Sequence, residues 1–329
     1  KKTIILEHIK FFVFKIYNTT DMKRVLIISS NRLGDAILSS GLNNYFKEKY
    51  KDSQITFVCG EIPYDLFRYC KDIDIIVPFK KKRYSFHWVI LFIKIFFKSW
   101  EEVIDLRGSI ISFFLFTKKR KIFRKNKLRS IHKVEEITTN ITGKLVEPKI
   151  NILKINFKNR FRGKKVICIC PTANWAPKIW PEENFHELIK KISIKSKFKD
   201  HIFVLIGPKS EEHKIKGLLS LKDKKIFNMF GKFSLVEIFL FLKESRLFIG
   251  NDSGLMHLAA LANVRTVGLF GPSSIEKYHP WGEKTLHISG DKSPDDLMGH
   301  KNFDFRQEDC LMEDLKVDYV LKKIIKFYR

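Results

Sequence analysis

The chain has 329 residues, enough for two domains of ordinary size, and its 44% apolar content excludes wholesale disorder. Lys and Arg total 62 against 36 Asp and Glu, a net charge of +26 that suits a phosphate-rich or anionic partner, although a Lys- and Phe-heavy chain also fits an AT-rich genome. The longest uncharged stretches, 166–177 and 253–264, are 12 residues each, well short of the ~20 apolar residues that span a membrane.

Lys1–Tyr17 places Ile5, Ile9, Phe12, Val13 and Ile16 on one helical face, so residues 1–22 read as an amphipathic N-terminal extension. Glu7, His8, Lys10 and Lys15 interrupt it and no small-residue cleavage site follows, which argues against a signal peptide. Arg24–Ser30 is a β-branched apolar run that predicts a strand, with a helix from the Asn31–Asp35 turn to about Tyr50. Strands are expected at Gln54–Cys59, Ile73–Val77 and Glu102–Leu106, and a helix at Tyr84–Lys98. After a charged, strand-poor stretch around 146–164 the alternation restarts. Strands at Lys165–Cys170, Ile202–Ile206, Arg246–Ile249 and Thr266–Phe270 alternate with helices at Pro181–Ile194, Ser210–Leu219, Ser234–Lys243 and Gly254–Ala262. Ser234 with Glu237 three residues on is a capping box.

This order predicts an α/β chain of two doubly wound, Rossmann-like domains facing across a cleft, residues 23–160 and 161–329, with the last helix packing back on the first domain. Ligands of such sheets bind beyond the carboxyl ends of the strands, so the loops there carry the functional reading. In Ser29-Ser30-Asn31-Arg32-Leu33-Gly34-Asp35, Asp35 falls in the first helical turn; it either serves a ligand site or only complements the helix dipole. In the loop 171–182, Lys178 is a cation within reach of a phosphate, or one more surface lysine, and Trp175 and Trp180 are ligand platforms or packing anchors. Gly250-Asn251-Asp252-Ser253-Gly254 has the layout of a phosphate-binding turn, with Asp252 or Ser253 capping the next helix and His257 either turned to the ligand or buried in the core. Leu269–Ser274 lines the same cleft or is an ordinary turn.

No phosphate loop of the Gly-x-x-x-x-Gly-Lys type, Gly-x-Gly-x-x-Gly, His-Glu-x-x-His or Cys-x-x-Cys occurs, which argues against NTPase, dehydrogenase, zinc-protease and zinc-finger readings and predicts no metal site. The five cysteines lack metal spacing; Cys168 and Cys170 read as a buried strand, and all five as reduced thiols.

The segments RVLIISSNRLGDAILSS (24–40), VIDLRGS (103–109), PTANWAPKIWPEENF (171–185) and above all GNDSGLMHLAALANVRTVGLFGPSS (250–274) resemble glycosyltransferase family 9, the bacterial lipopolysaccharide heptosyltransferases. The likeness covers about 23–325, weakest over 110–160. It implies a GT-B arrangement and an inverting, metal-independent transfer of heptose from ADP-heptose to a lipid-linked core oligosaccharide, at the cytoplasmic face of the inner membrane, with no cofactor. It implies that Asp35 is the catalytic base, that Ser29 and Ser30 lie beside the donor, that Lys178 contacts the donor diphosphate, and that Asp252, Ser253, Gly254 and His257 form the donor-binding block, with Ser253 where Thr is commoner. Family members also act on other acceptors, protein hydroxyls among them, and with other donors. A nucleic-acid-binding protein is the rival of a different class; the charge suits it but no recognition motif supports it, so no nucleic-acid partner is expected. The extension, Tyr84–Lys98 and the cationic run Lys118–Arg129 make an anionic membrane surface the expected partner instead.

Overall fold

The computed structural model describes residues 22–79, 95–125, 130–220, 223–299, 303–306 and 309–328. The amphipathic segment 1–17 and most of the helix expected at 84–98 lie outside them. The chain divides into two compact units, Lys1–Lys127 with Val134–Leu153, and Leu128–Lys133 with Lys154–Arg329.

In the first unit, β1 (Arg24–Ile28), β2 (Gln54–Gly60), β3 (Ile75–Phe79), β4 (Trp100–Asp105) and β5 (Thr117–Ile122) form a parallel sheet in the order β3-β2-β1-β4-β5. The cationic run expected at the surface thus supplies β5, the edge strand, where exposed lysines discourage pairing with another chain. The single helix expected from 33 to 50 is two, Leu33–Leu38 and Gly41–Lys49. Ser39 Oγ bonds back to the carbonyls of Asp35 (3.0 Å) and Ala36 (3.2 Å), and Ser40 Oγ accepts from Lys149 N (3.1 Å). A Cβ at Gly41 would strike the Glu147 carbonyl, so glycine is what lets the segment around 147 run against this break. Glu102, fully buried in β4, is neutralised within the fold: its Oε2 accepts from Lys49 Nζ and Tyr50 OH, both at 2.7 Å.

In the second unit, β6 (Lys165–Cys170), β7 (His201–Leu205), β8 (Ile226–Asn228), β9 (Leu247–Asn251), β10 (Arg265–Phe270) and β11 (Thr285–Ser289) are also all parallel, in the order β11-β10-β9-β6-β7-β8. Cys168 and Cys170 are buried in β6 as expected, and burial pushes each thiol up to about 12, which leaves them inert. Helix Glu182–Ser193 buries Phe185, Leu188, Ile189 and Ile192, and helix Val317–Phe327 buries Val317, Val320, Leu321 and Ile324, each at helical spacing on one face. Both faces join one core with Trp180 and Phe203, so the last helix, expected on the first domain, packs within the second unit. At roughly 1.5–3 kcal/mol per large side chain removed from water, this face is what holds the helix in place.

Each sheet reverses its winding once, between β1 and β4 in the first unit and between β6 and β9 in the second. Such reversals open the crevice where doubly wound sheets take ligands.

Candidate functional site

At the first reversal the loop after β1 meets the end of β4. Ser29 N donates to Val58 O (2.8 Å), Gly60 N to Ser30 O (3.2 Å), and Leu106 N to Ile28 O (2.9 Å), which pins the loop between its neighbouring strands. A Cβ on Gly60 would lie 2.7 Å from Asn31 Cα, so glycine there lets the loop pass. Asp35 stands in the first turn of Leu33–Leu38, and Ser30 Oγ donates to its Oδ2 at 3.2 Å. The Arg107 guanidinium, from the end of β4, donates to Asn31 Oδ1 and lies over the Phe79 ring at 5.3 Å. Burial lowers its pKa, while the carboxylates of Asp105 and Asp35 oppose that shift. The Asp35 carboxylate therefore feels a cation just beyond β4, a neighbourhood the sequence reading missed: VIDLRGS was noticed as a block, but only β1–β4 pairing tells which residue of it comes to the loop after β1. Ser29 is buried, and its Oγ has no hydrogen-bond partner among the described residues.

At the second reversal β6 and β9 pair so that Cys170 opposes Gly250. Their loops interlock: Trp180 N donates to Asn251 Oδ1 (3.2 Å) and Lys178 N to Trp175 O (3.1 Å). The result is an ion pair, Lys178 Nζ to Asp252 Oδ2 at 2.6 Å, with the carboxylate largely buried and the ammonium partly exposed. It lies just before the helix Gly254–Leu261. Ser253 is that helix's N-cap by backbone conformation, but its side chain makes no capping bond, and Asp252 is committed to Lys178; the expected side-chain cap is absent. The first backbone N–H groups of the helix are thus left without a side-chain cap. His257, in that helix, is buried. Trp180 is a packing anchor, its Nε1 donating to Leu315 O (2.8 Å), whereas Trp175 stacks on Phe305 with centroids 4.5 Å apart. In the Leu269–Ser274 loop a Cβ on Gly271 would lie 2.5 Å from Met312 Cγ, so glycine lets the loop pass that side chain. Asn251 and Thr172, unmarked in the sequence reading, are buried here with Nδ2 and Oγ1 unpartnered among the described residues.

The second unit also holds a histidine group. His132 Nε2 lies 2.9 Å from His279 O, and its ring sits 4.4 Å from that of His279 and 4.7 Å from that of Trp281. Burial first, then the neighbouring His279 and His257, lower the His132 pKa to about 4. The unfolded chain, with an ordinary value near 6.5, binds this proton where the native protein does not. Stability is therefore full above pH ~6.5 and falls as pH drops towards ~4, by about 3 kcal/mol from this group. Urea unfolding at pH 7 and pH 4.5 should show His132→Gln losing much less stability across that window than the wild type; equal losses would remove His132 from the account. Among the described residues no three His, Cys, Asp or Glu side chains converge on a metal position.

Residues 151–302 match glycosyltransferase family 9 (heptosyltransferase). Lipooligosaccharide heptosyltransferase 2 of Campylobacter jejuni is 26% identical over 315 residues, covering 89% of this chain and 96% of the relative. The structure of E. coli ADP-heptose lipopolysaccharide heptosyltransferase II superposes with a TM-score of 0.71 at 17% identity, over 93% of this chain and 98% of the other. E. coli heptosyltransferase WaaC with ADP gives 0.71 at 15% identity, over 93% and 100%. The two structural likenesses are of fold. The match over residues 151–302 and the long sequence alignment bear out the family resemblance: residues 151–302 are a glycosyltransferase family 9 (heptosyltransferase) domain.

Proposed function

We propose that the protein transfers a heptose from ADP-heptose to a hydroxyl of a lipid-linked core oligosaccharide, with inversion and without a metal, at the cytoplasmic face of the inner membrane. The observation that carries this reading is the Lys178–Asp252 pair at the β6/β9 reversal, directly before a helix N-terminus. An ammonium group has three donors. Asp252 takes one and fixes the side chain, so that the others can meet the diphosphate together with the N–H groups of Ser253 and Gly254. Asp252 thus serves the donor by orienting Lys178. His257, buried in the first turn of that helix, belongs to the same donor-binding block. The names of the relatives supply the donor and acceptor class.

The chemistry is a single displacement. The acceptor oxygen attacks the anomeric carbon, its proton passes to the Asp35 carboxylate, and the bond from that carbon to the phosphate oxygen breaks. ADP leaves with the bonding pair, and Lys178 and the helix N-terminus stabilise the charge it gains. Ser30 holds one oxygen of Asp35, and Arg107 supplies a nearby positive charge.

Calorimetry with ADP-heptose against UDP- and GDP-sugars, followed by acceptor-dependent release of the nucleotide, tests the reading. Preferential binding of ADP-heptose and its turnover with a core oligosaccharide are expected. Preference for a UDP- or GDP-sugar would overturn the donor, and release only with a protein acceptor would overturn the acceptor.

A further inference from the structure

The 3₁₀ turn Ile110–Phe114 is the least expected surface of the first unit. Ile110 is 73% exposed and Phe113 58%, and Phe114 beside them is exposed too. The apolar area continues through Phe97, whose ring lies 5.2 Å from Phe96, itself 5.5 Å from Phe116. A monomer rarely leaves so many large apolar groups together in water without a use for them.

The display is built. Arg120 of β5 reaches back to the turn, its Nε donating to Ser112 O (2.8 Å) and its Nη2 to Leu115 O (2.9 Å), with the guanidinium over the Phe113 ring at 5.8 Å. Ser109 N and Oγ both donate to Asp105 Oδ2, at 2.6 and 2.7 Å, and Ser112 Oγ donates to Ser109 O (2.9 Å). The turn is thus tied to the end of β4 on one side and to β5 on the other. Asp105 pairs in register with Ile28, so the turn leaves the sheet at the same strand ends as the loop carrying Asp35. Next to it, residues 117–125 carry Lys118, Lys119, Arg120, Lys121, Arg124 and Lys125 and no acidic residue; Lys121 is paired with the buried Glu102 (3.7 Å), whereas Lys118 keeps 61% of its side chain exposed beside Glu101 (2.9 Å). Lysines on an edge strand are explained by protection against pairing; apolar side chains held outward by an arginine beside them are not.

We propose that this face docks the first unit on an anionic bilayer, the Ile110, Phe113 and Phe114 side chains entering the interface and the cations on the same face of β5, Lys118 and Arg120, meeting lipid phosphates. Apolar groups rimmed by Lys and Arg have the chemistry of an interfacial anchor, and among the described residues no helix is long and apolar enough to cross a membrane. The inference rests on the reading that the acceptor is lipid-borne, because the anchor would bring the Asp35 loop to the layer in which that acceptor lies.

The test needs neither donor nor acceptor, so its failure is separate from failure of the transferase reading. The full chain is sedimented with vesicles of phosphatidylethanolamine and phosphatidylglycerol, and with vesicles of phosphatidylcholine. Binding is expected to the first, weakened by salt. Ile110→Ser with Phe113→Ser should reduce it about ten-fold or more, and Phe97→Ser roughly ten-fold, with melting temperature and ADP affinity unchanged. Phe97 is exposed, so its variant decides the matter should the double substitution lower the melting temperature. Equal binding to both vesicle types, or wild-type binding by the variants, overturns the proposal. So does a dimer in sedimentation that Ile110→Ser with Phe113→Ser dissolves, because the face would then join two copies of the chain.

Discussion

Asp35→Asn is expected to lower turnover by about 10²–10⁴-fold, the usual worth of a positioned general base, while ADP affinity and melting temperature stay near those of the wild type. Asparagine keeps the size of the side chain and an oxygen to accept from Ser30 Oγ, so the loop after β1 keeps its geometry. What it loses is basicity. The attacking hydroxyl is a very weak acid, so its proton must move as the new bond to the anomeric carbon forms, and an amide cannot take it. Arg107 remains held by Asn31 and the Asp105 carboxylate, which limits the structural cost of removing one charge. Initial rates of acceptor-dependent ADP release give the turnover, and calorimetry with ADP gives the affinity. Near-normal turnover would reduce Asp35 to a charge at a helix end. Loss of stability in step with activity would make it part of the loop's architecture.

How much of this was legible in the sequence follows from what each feature depends on. The strands that lie inside each sheet, β1, β2, β4, β6, β7, β9 and β10, were found because burial on both faces makes them short apolar runs. Every missed strand is at an edge: β5 is TKKRKI, β8 is three residues long and β11 is half-buried, so none carries that signal. The break at Ser39–Ser40 was illegible because its cause is the distant segment 147–149. The loops were found as loops because Gly, Pro, Ser and Asn mark them. Which side chains meet across them was not. Lys178 and Asp252 lie far apart in the chain and come within 2.6 Å only through β6–β9 pairing. Arg107 is the same case through β1–β4 pairing. The capping box at Ser234 was legible because it is wholly local, whereas of Asp252 and Ser253, the two candidates for capping the next helix, the sequence could not tell that Asp252 is taken by a distant lysine.

The Lys178–Asp252 pair gives the second large effect. Lys178→Ala should weaken ADP-heptose binding by about ten- to hundred-fold, corresponding to the ~1.5–3 kcal/mol of a hydrogen bond to a charged group, and leave acceptor affinity nearly unchanged. The variant removes the donor to the diphosphate and also strands the mostly buried Asp252 carboxylate at the head of the Gly254–Leu261 helix. That uncompensated negative charge would repel the diphosphate, so alanine measures two losses together. Asp252→Asn separates them. It keeps an oxygen that can accept from Lys178 and removes the repelling charge, so it should bind the donor better than Lys178→Ala while orienting the lysine less firmly than the wild type. Lys178→Ala with Asp252→Asn should then recover part of the loss, because the stranded charge is gone while the missing ammonium remains. Salt supplies a further check: the Lys178 contribution is an attraction between opposite charges, partly exposed, and it should shrink as ionic strength rises. Unchanged donor affinity in Lys178→Ala would remove the nucleotide from the β6/β9 reversal and leave the ion pair as a brace between two loops.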